Sequence, residues 1–150
     1  MTVGDICHRN VVVAPRSEMI VDAARRMRTS HVGALIVVEN RAGRYVPVGI
    51  VTDRDIVIGA VAGDPDHINY LLVSDVMTSN VVTALEQDSI DAALNKMHEH
   101  GIRRLPIVDP AGTLVGILTL DDILRYLTDQ QSELVALVAR EQQRERQYRI

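Results

Sequence analysis

The sequence predicts an α+β protein: two βαββα repeats related by a pseudo-two-fold axis, plus a C-terminal helical tail. Three observations carry that prediction. The chain is written twice: Asp5-Ile6-Cys7-His8-Arg9-Asn10-Val11-Val12 returns 70 positions later as Asp75-Val76-Met77-Thr78-Ser79-Asn80-Val81-Val82, and at the same shift Ile20 meets Ile90, Ala23 meets Ala93, Met27 meets Met97, Leu35 meets Leu105 and Val38 meets Val108. The shift then falls to 67, where Val48-Gly49-Ile50-Val51-Thr52 returns as Val115-Gly116-Ile117-Leu118-Thr119 and Asp55-Ile56 as Asp122-Ile123; the first copy therefore holds three extra residues in the loop around Asn40–Arg44. Within each copy, apolar residues at helical spacing precede two apolar runs of strand length. Two copies of one supersecondary unit imply a body with matching faces and paired clefts where the copies meet.

The repeats are assigned to residues 3–66 and 67–128, and a helical extension to residues 129–150. In the first repeat Val11–Ala14 is a strand stopped by Pro15, and Ser17 caps a helix running to about Thr29. Ala34–Val38 and Val46–Val51 form a hairpin through the polar, Gly-containing link Glu39–Arg44, and a helix begins near Asp53 and ends by Gly63-Asp64-Pro65. The second repeat reads in the same order: strand Val81–Ala84, helix Ser89–Glu99, strands Leu105–Val108 and Leu114–Leu118, and a last helix from about Leu120. Its hairpin turn, Asp109-Pro110-Ala111-Gly112, has the Asp, Pro and Gly positions of a type I turn. Beyond Leu127 the repeat pattern ends. One apolar patch (Leu134, Val135, Leu137, Val138) and the polar run Arg140–Arg146 read either as an appended, frayed helix or as a dimerisation or partner-docking helix.

Composition narrows the classes. At 150 residues the chain is the size of one domain, able to bury roughly 68–70% of its unfolded surface. There is no Trp or Phe, so Val, Ile, Leu and Ala carry the core, and such residues suit strands packed on helices. A net charge of −4 supplies no basic field for a phosphate backbone, so nucleic acid is not an expected partner. The longest apolar run, around Val32–Val38, is far short of the ~20 residues that cross a bilayer, and no basic-then-apolar leader opens the chain. Cys7 stands alone, which rules out an intrachain disulfide and fits a reducing compartment. Its counterpart is Met77, as at a packing position. A cytoplasmic protein that makes no use of the membrane is expected.

The most informative constellation is the pair Gly49-Ile50-Val51-Thr52-Asp53-Arg54-Asp55 and Gly116-Ile117-Leu118-Thr119-Leu120-Asp121-Asp122. In both, an apolar strand ends in Thr and an Asp follows three residues later at a helix start. One reading is a capping box, the hydroxyl and carboxylate satisfying helix amides. The other is a ligand site, where an Asp accepts two hydroxyl hydrogen bonds from a ribose diol and the helix start favours anionic or polyol groups. A copied cap is copied too, so recurrence alone leaves both readings open.

The two units resemble cystathionine-β-synthase (CBS) domains, and the tandem resembles a Bateman module. The resemblance covers about residues 3–128 and rests on Ile20 through Met27, Ile90 through Met97, His100-Gly101-Ile102-Arg103-Arg104-Leu105-Pro106-Ile107-Val108 and the two Gly-x-x-Thr-x-x-Asp segments. It implies that Thr52 with Asp55, and Thr119 with Asp122, bind the ribose of an adenosine-type ligand such as AMP, ADP, ATP or S-adenosylmethionine. It also implies a phosphate-facing basic residue at Arg103 or Arg104, which the family can contribute from the opposite copy to the site containing Asp55. Arg54 is a further phosphate candidate, preceding the first Asp where acidic Asp121 precedes the second. The competing reading of these arginines is plain surface charge. A homodimer follows from the resemblance as well.

Chemistry of other kinds is poorly supplied. His98 and His100 stand two apart on a helix and do not share a face, and no Cys pair or His-Glu-x-x-His spacing exists for zinc. No phosphate-binding Gly-Lys loop, dinucleotide fingerprint or nucleophile elbow is present, and nothing pairs a nucleophile with an oriented base. The expected function is therefore non-enzymatic: a regulatory module that binds adenine nucleotides, with Mg²⁺ bridging phosphates at most, and signals to a protein partner. The rivals are a ligand-free dimeric scaffold whose Thr/Asp pairs only cap helices, and a metal- or redox-responsive module built on Cys7 and the histidines.

Overall fold

The computed structural model describes residues 1–148. The element order is α1 (Val3–Ile6), β1 (Val13–Pro15), α2 (Ile20–Ser30), β2 (Ala34–Arg41), β3 (Arg44–Thr52), α3 (Asp53–Asp55), α4 (Val73–Val76), β4 (Ala84–Leu85), α5 (Ile90–His100), β5 (Arg104–Val108), β6 (Leu114–Thr119) and α6 (Leu120–Tyr148). After α3 the chain continues as a π-type helix, Ile56–Ala62, and then a 3₁₀ turn, Pro65–His67. There are two three-stranded sheets, ordered β1-β2-β3 and β4-β5-β6. In each, the first strand is parallel to the second and the third returns antiparallel. Both hairpins bulge at the equivalent place, between Val37 and Val38 and between Ile107 and Val108.

Each sheet buries one face under its own helices, but the repeats are interlocked. The first core holds Ile20, Ala23 and Met27 of α2 against Leu35, Val37 and Val51, together with Val73, which opens the second repeat. The second holds Ile90, Ala93 and Met97 of α5 against Leu105, Ile107 and Leu118, together with Val3 from the chain start. Backbone bonds fix the exchange. Val3 and Gly4 donate to Asp88 and Glu86 at 2.9 Å, while Val73 donates to Glu18 at 2.8 Å and Ser74 to Arg16 at 3.1 Å. A second exchange ties His8 to Ile117 on β6 and Thr78 to Ile50 on β3. Each repeat therefore completes its fold with a segment of the other.

The close approach explains two glycines. A Cβ on Gly49 would stand 2.8 Å from the Thr78 carbonyl oxygen and 2.9 Å from Met77 Sδ; one on Gly116 would stand 2.8 Å from Cys7 Sγ and 2.9 Å from the His8 carbonyl oxygen. Cys7 and Met77 thus fill matching positions over matching glycines.

Several local expectations are corrected. The first strand includes Pro15 and begins at Val13: Val13, Ala14 and Pro15 pair with Ile36, Val37 and Val38 of β2, while Val12 gives its carbonyl alone, accepting from Ile36 N–H at 3.1 Å; the counterpart strand is Ala84–Leu85 rather than Val81–Ala84. Ser17 does not cap α2. The helix starts at Ile20 behind Met19, which pairs with Leu72, and Ile20 N–H donates to the Leu71 carbonyl instead. In the second repeat Ser89 occupies the equivalent place and does cap, accepting from Ala92 N–H at 3.0 Å. The first hairpin extends to a two-residue turn, Ala42-Gly43, both with positive φ as a type I′ turn requires. The second closes at Asp109, whose carbonyl accepts from Gly112 N–H and whose side chain accepts from Ala111 and Thr113.

The repeats end differently. Gly63-Asp64-Pro65 stops the first helix, whereas α6 runs unbroken for 29 residues, about 43 Å at 1.5 Å per residue. The extension expected over residues 129–150 is thus the continuation of the repeat's last helix, and its final two residues lie outside the described residues. Leu134, Val135, Leu137 and Val138 are exposed on it. Among the described residues no helix is long and apolar enough to cross a membrane.

Candidate functional site

Both Thr-x-x-Asp segments form reciprocal caps. Thr52 Oγ1 accepts from Asp55 N–H at 3.1 Å while Asp55 Oδ2 accepts from Thr52 N–H at 2.9 Å. In the second repeat the same bonds measure 3.2 Å from Asp122 N–H to Thr119 Oγ1 and 2.9 Å from Thr119 N–H to Asp122 Oδ2. The cap is real, and it leaves chemistry over: each carboxylate uses only Oδ2, with Oδ1 still able to accept.

In the first cleft that remainder is available. Asp55 and Thr52 line a cavity of about 240 Å³, and among the described residues Asp55 Oδ1 has no hydrogen-bond partner. The walls are apolar: Ile50 from the first repeat, with Val81, Val82, Ile102 and Pro106 from the second. Thr78 and Asn80 add polar groups. Arg103 and Arg104, both from the second repeat, complete the rim. Four of the residues singled out from sequence (Thr52, Asp55, Arg103, Arg104) are thereby brought together.

The second cleft is the symmetry mate, a cavity of about 520 Å³ lined by Asn10, Val11, Val12, Val32, Ile117 and Thr119 among others. Here Asp122 is withdrawn. Its side chain is 4% exposed, and Oδ1 is held by His8 Nε2 at 2.7 Å, with Arg125 Nη1 at 3.7 Å. At the rim, where the first cleft has two arginines, stand Gly33 and Ala34. Arg104 reaches this cleft too, passing beside Gly33. Arg103 is 4.0 Å from Asp121, both side chains largely exposed. Arg54 is exposed and is not among the residues lining either cleft.

Reasoning from sequence missed His8 and the shared position of Arg104. The pairing of His8 with Asp122 spans 114 positions, and the only signal for it is that His8 stands where the other copy has Thr78. Cys7, next to His8 in the chain, packs on the second core, and burial pushes its thiol above the ordinary range. A thiol held protonated is a poor nucleophile and a poor metal ligand. Among the described residues no three His, Cys, Asp or Glu side chains cluster as metal ligands would.

A family model described as the CBS domain matches residues 3–60 and 73–129. The chain belongs to the CBS domain family, as a tandem CBS domain protein. It is 36% identical over 127 residues to the uncharacterized protein MK0525 of Methanopyrus kandleri, a match covering 83% of this chain and 62% of that protein. The chain thus spans a little under two thirds of that relative's length. Among solved structures, CBSX2 in complex with AMP superposes with a TM-score of 0.75 at 26% identity, over 87% of this chain and 98% of that one. The CBS domain pair of protein MJ0100, in complex with methylthioadenosine and S-adenosyl-L-methionine, gives a TM-score of 0.74 at 28% identity over the same shares, 87% and 98%.

Proposed function

We propose that this chain is a regulatory module, not an enzyme, that senses adenosine-type ligands (AMP, ADP, ATP or S-adenosylmethionine) in the clefts between its repeats. The observation that carries the reading is the first cleft: apolar walls around a cavity of about 240 Å³, a carboxylate oxygen left unpaired among the described residues beside them, and two guanidinium groups on the rim. Asp55 would hold the ribose diol and Arg103 or Arg104 the phosphates or carboxylate. The ligands of the two structural neighbours, AMP and S-adenosylmethionine, support the same chemistry. Since Asp55 belongs to one repeat and the arginines to the other, a bound nucleotide ties the repeats together and biases their arrangement, and a partner reads that bias as a population shift. No resident metal or cofactor is needed; Mg²⁺ would enter with ATP, bridging its phosphates. The module acts in the cytoplasm on a protein partner whose identity the fold does not specify.

Association with a second copy belongs to the same proposal. Val57, Ile58 and Val61 after α3, and Leu124 and Leu127 on α6, are about half exposed on equivalent helices, and isologous helix-to-helix contact would cover them. Light scattering at micromolar concentration is expected to give a dimer mass, and a monomer mass would defeat this part.

Thermal-shift measurements with AMP, ADP, ATP, S-adenosylmethionine, NAD and divalent metals test the main reading. Stabilisation by adenosine ligands is expected, rising with concentration as binding to the folded state requires. A shift with metals alone, or with none of the ligands, would favour a metal-responsive module or a scaffold.

A further inference from the structure

Two clefts of equivalent backbone differ at one acceptor. In the first, Asp55 Oδ1 is unpaired among the described residues, and the residue facing it across the exchanged segment is Thr78. In the second, the residue in that place is His8, and its Nε2 lies 2.7 Å from Asp122 Oδ1. The imidazole is well supported there. His8 N–H donates to the Ile117 carbonyl and the Ile117 N–H to the His8 carbonyl, both at 2.9 Å, so the backbone carrying the ring is pinned to the strand that ends in Thr119. The side chain itself is 58% exposed against 4% for Asp122. It is therefore the member of the pair able to swing out without disturbing a core.

We propose that His8 is a latch on the second cleft, a specificity-determining residue that makes the two clefts fill in order. An adenosine ligand meets an open acceptor at Asp55. At Asp122 the same oxygen is occupied, and the diol must displace the imidazole before it can bind. The ligand then exchanges one hydrogen bond to a charged acceptor for another, and the net gain at the second cleft is smaller by the worth of the bond given up. The rim adds to the asymmetry: Gly33 and Ala34 hold the positions of Arg103 and Arg104, so the second cleft is lined by Arg104 without Arg103, and Asp121 stands beside it. The second cleft therefore responds at a higher ligand concentration than the first. This inference rests on the adenosine-ligand reading above and specifies how that reading divides between two sites.

The test isolates the second cleft by disabling the first with Asp55→Asn and titrating AMP, ATP and S-adenosylmethionine by calorimetry on the full chain. Adding His8→Ala to Asp55→Asn should tighten the remaining site at least tenfold, the scale of a hydrogen bond to a charged group. Adding His8→Gln instead should leave it near the Asp55→Asn value, because the amide N–H still donates to Asp122. The reciprocal transplant, Thr78→His in the otherwise native chain, should weaken the first cleft by a similar factor. Unchanged or weaker binding after His8→Ala, or two equal sites in the native chain, overturns the latch while leaving adenosine binding standing. Absence of binding by all three ligands to the native chain overturns the functional reading, and the latch with it.

Discussion

The two clefts share a backbone plan and differ in what surrounds one carboxylate. Asp55 sits half-buried, capping its helix with one oxygen and offering the other to the cavity; Asp122 makes the same cap and spends its second oxygen on His8. The rim differs in charge as well, with Arg103 and Arg104 at the first cleft and Arg104 beside Gly33, Ala34 and Asp121 at the second. Duplication therefore preserved the elements that fold each repeat, the cores, the bulges and the caps, while the residues facing the clefts diverged. The cores answer to shape, which both copies share. The cleft walls answer to whatever enters them.

If the cores are equivalent, truncating them should cost the same. Leu35 and Leu105 occupy matching positions and are fully buried. Leu35→Ala and Leu105→Ala should each cost about 2–5 kcal/mol, the range for deleting a core leucine. Because Val3 and Val73 are exchanged between the cores, each variant should shift one common urea transition. Two separate transitions, one moved and one not, would show that the repeats fold independently.

The next effect falls on the exchanged segments. Alanine at Gly49 or Gly116 places a methyl group under 3 Å from a backbone carbonyl oxygen, an overpacking that costs about 1–3 kcal/mol. The two should differ in consequence. Gly116→Ala pushes on Cys7 and His8 and so disturbs the pair with Asp122, whereas Gly49→Ala pushes on Met77 and Thr78, where no such pair exists. Equal stability losses are expected from thermal melts, with nucleotide binding at the second cleft changed only by Gly116→Ala.

Much of this was legible in the sequence, and the limits have physical causes. The repeat itself, the apolar hairpins and the Thr-x-x-Asp caps are local patterns, and the sheets and caps follow them. Strand ends were harder to place, because Pro15 and Leu85 join their sheets only through partners on β2 and β5. Ser17 has the chemistry of a cap, but Met19 is pinned by Leu72 and moves the helix start past it. The exchange of Val3 and Val73 between cores leaves no local trace at all. Nor does the His8–Asp122 pair, which depends on that exchange to bring residues 114 positions apart within 2.7 Å.

The two carboxylates should separate the clefts at smaller energies. Asn caps a helix about as well as Asp, so Asp55→Asn should change stability by less than about 0.5 kcal/mol. Asp122→Asn also replaces a charged acceptor of His8 by a neutral one and should cost about 1 kcal/mol. In ligand titrations the order reverses. Asp55→Asn should weaken AMP binding about tenfold or more, while Asp122→Asn leaves that first event intact. Calorimetry on the single and double variants checks both halves, and unchanged nucleotide binding in all three would reduce the Thr/Asp pairs to helix caps.

The smallest expected effect on stability separates a phosphate contact from a surface charge. Arg103 Nη2 stands 4.0 Å from Asp121 Oδ1, and the two side chains are 71% and 74% exposed. Exposed ion pairs of that length are worth little, with a median of about 0–1 kcal/mol, so Arg103→Ala should leave the melting curve almost unmoved. Any change in ligand affinity then cannot be laid to unfolding. If Arg103 meets a phosphate, AMP should weaken about tenfold, since a charge-assisted bond contributes about 1.5–3 kcal/mol, and adenosine, which has no phosphate, should bind as before. Arg104→Ala makes the informative partner, because Arg104 lines both clefts and Arg103 lines only the first of them. A guanidinium shared between clefts should lower AMP affinity at both, and a loss confined to the first would place Arg104 in the service of Asp55 alone. Equal weakening of AMP and adenosine in either variant would instead assign the arginine to packing against Ile102 and its neighbours rather than to charge.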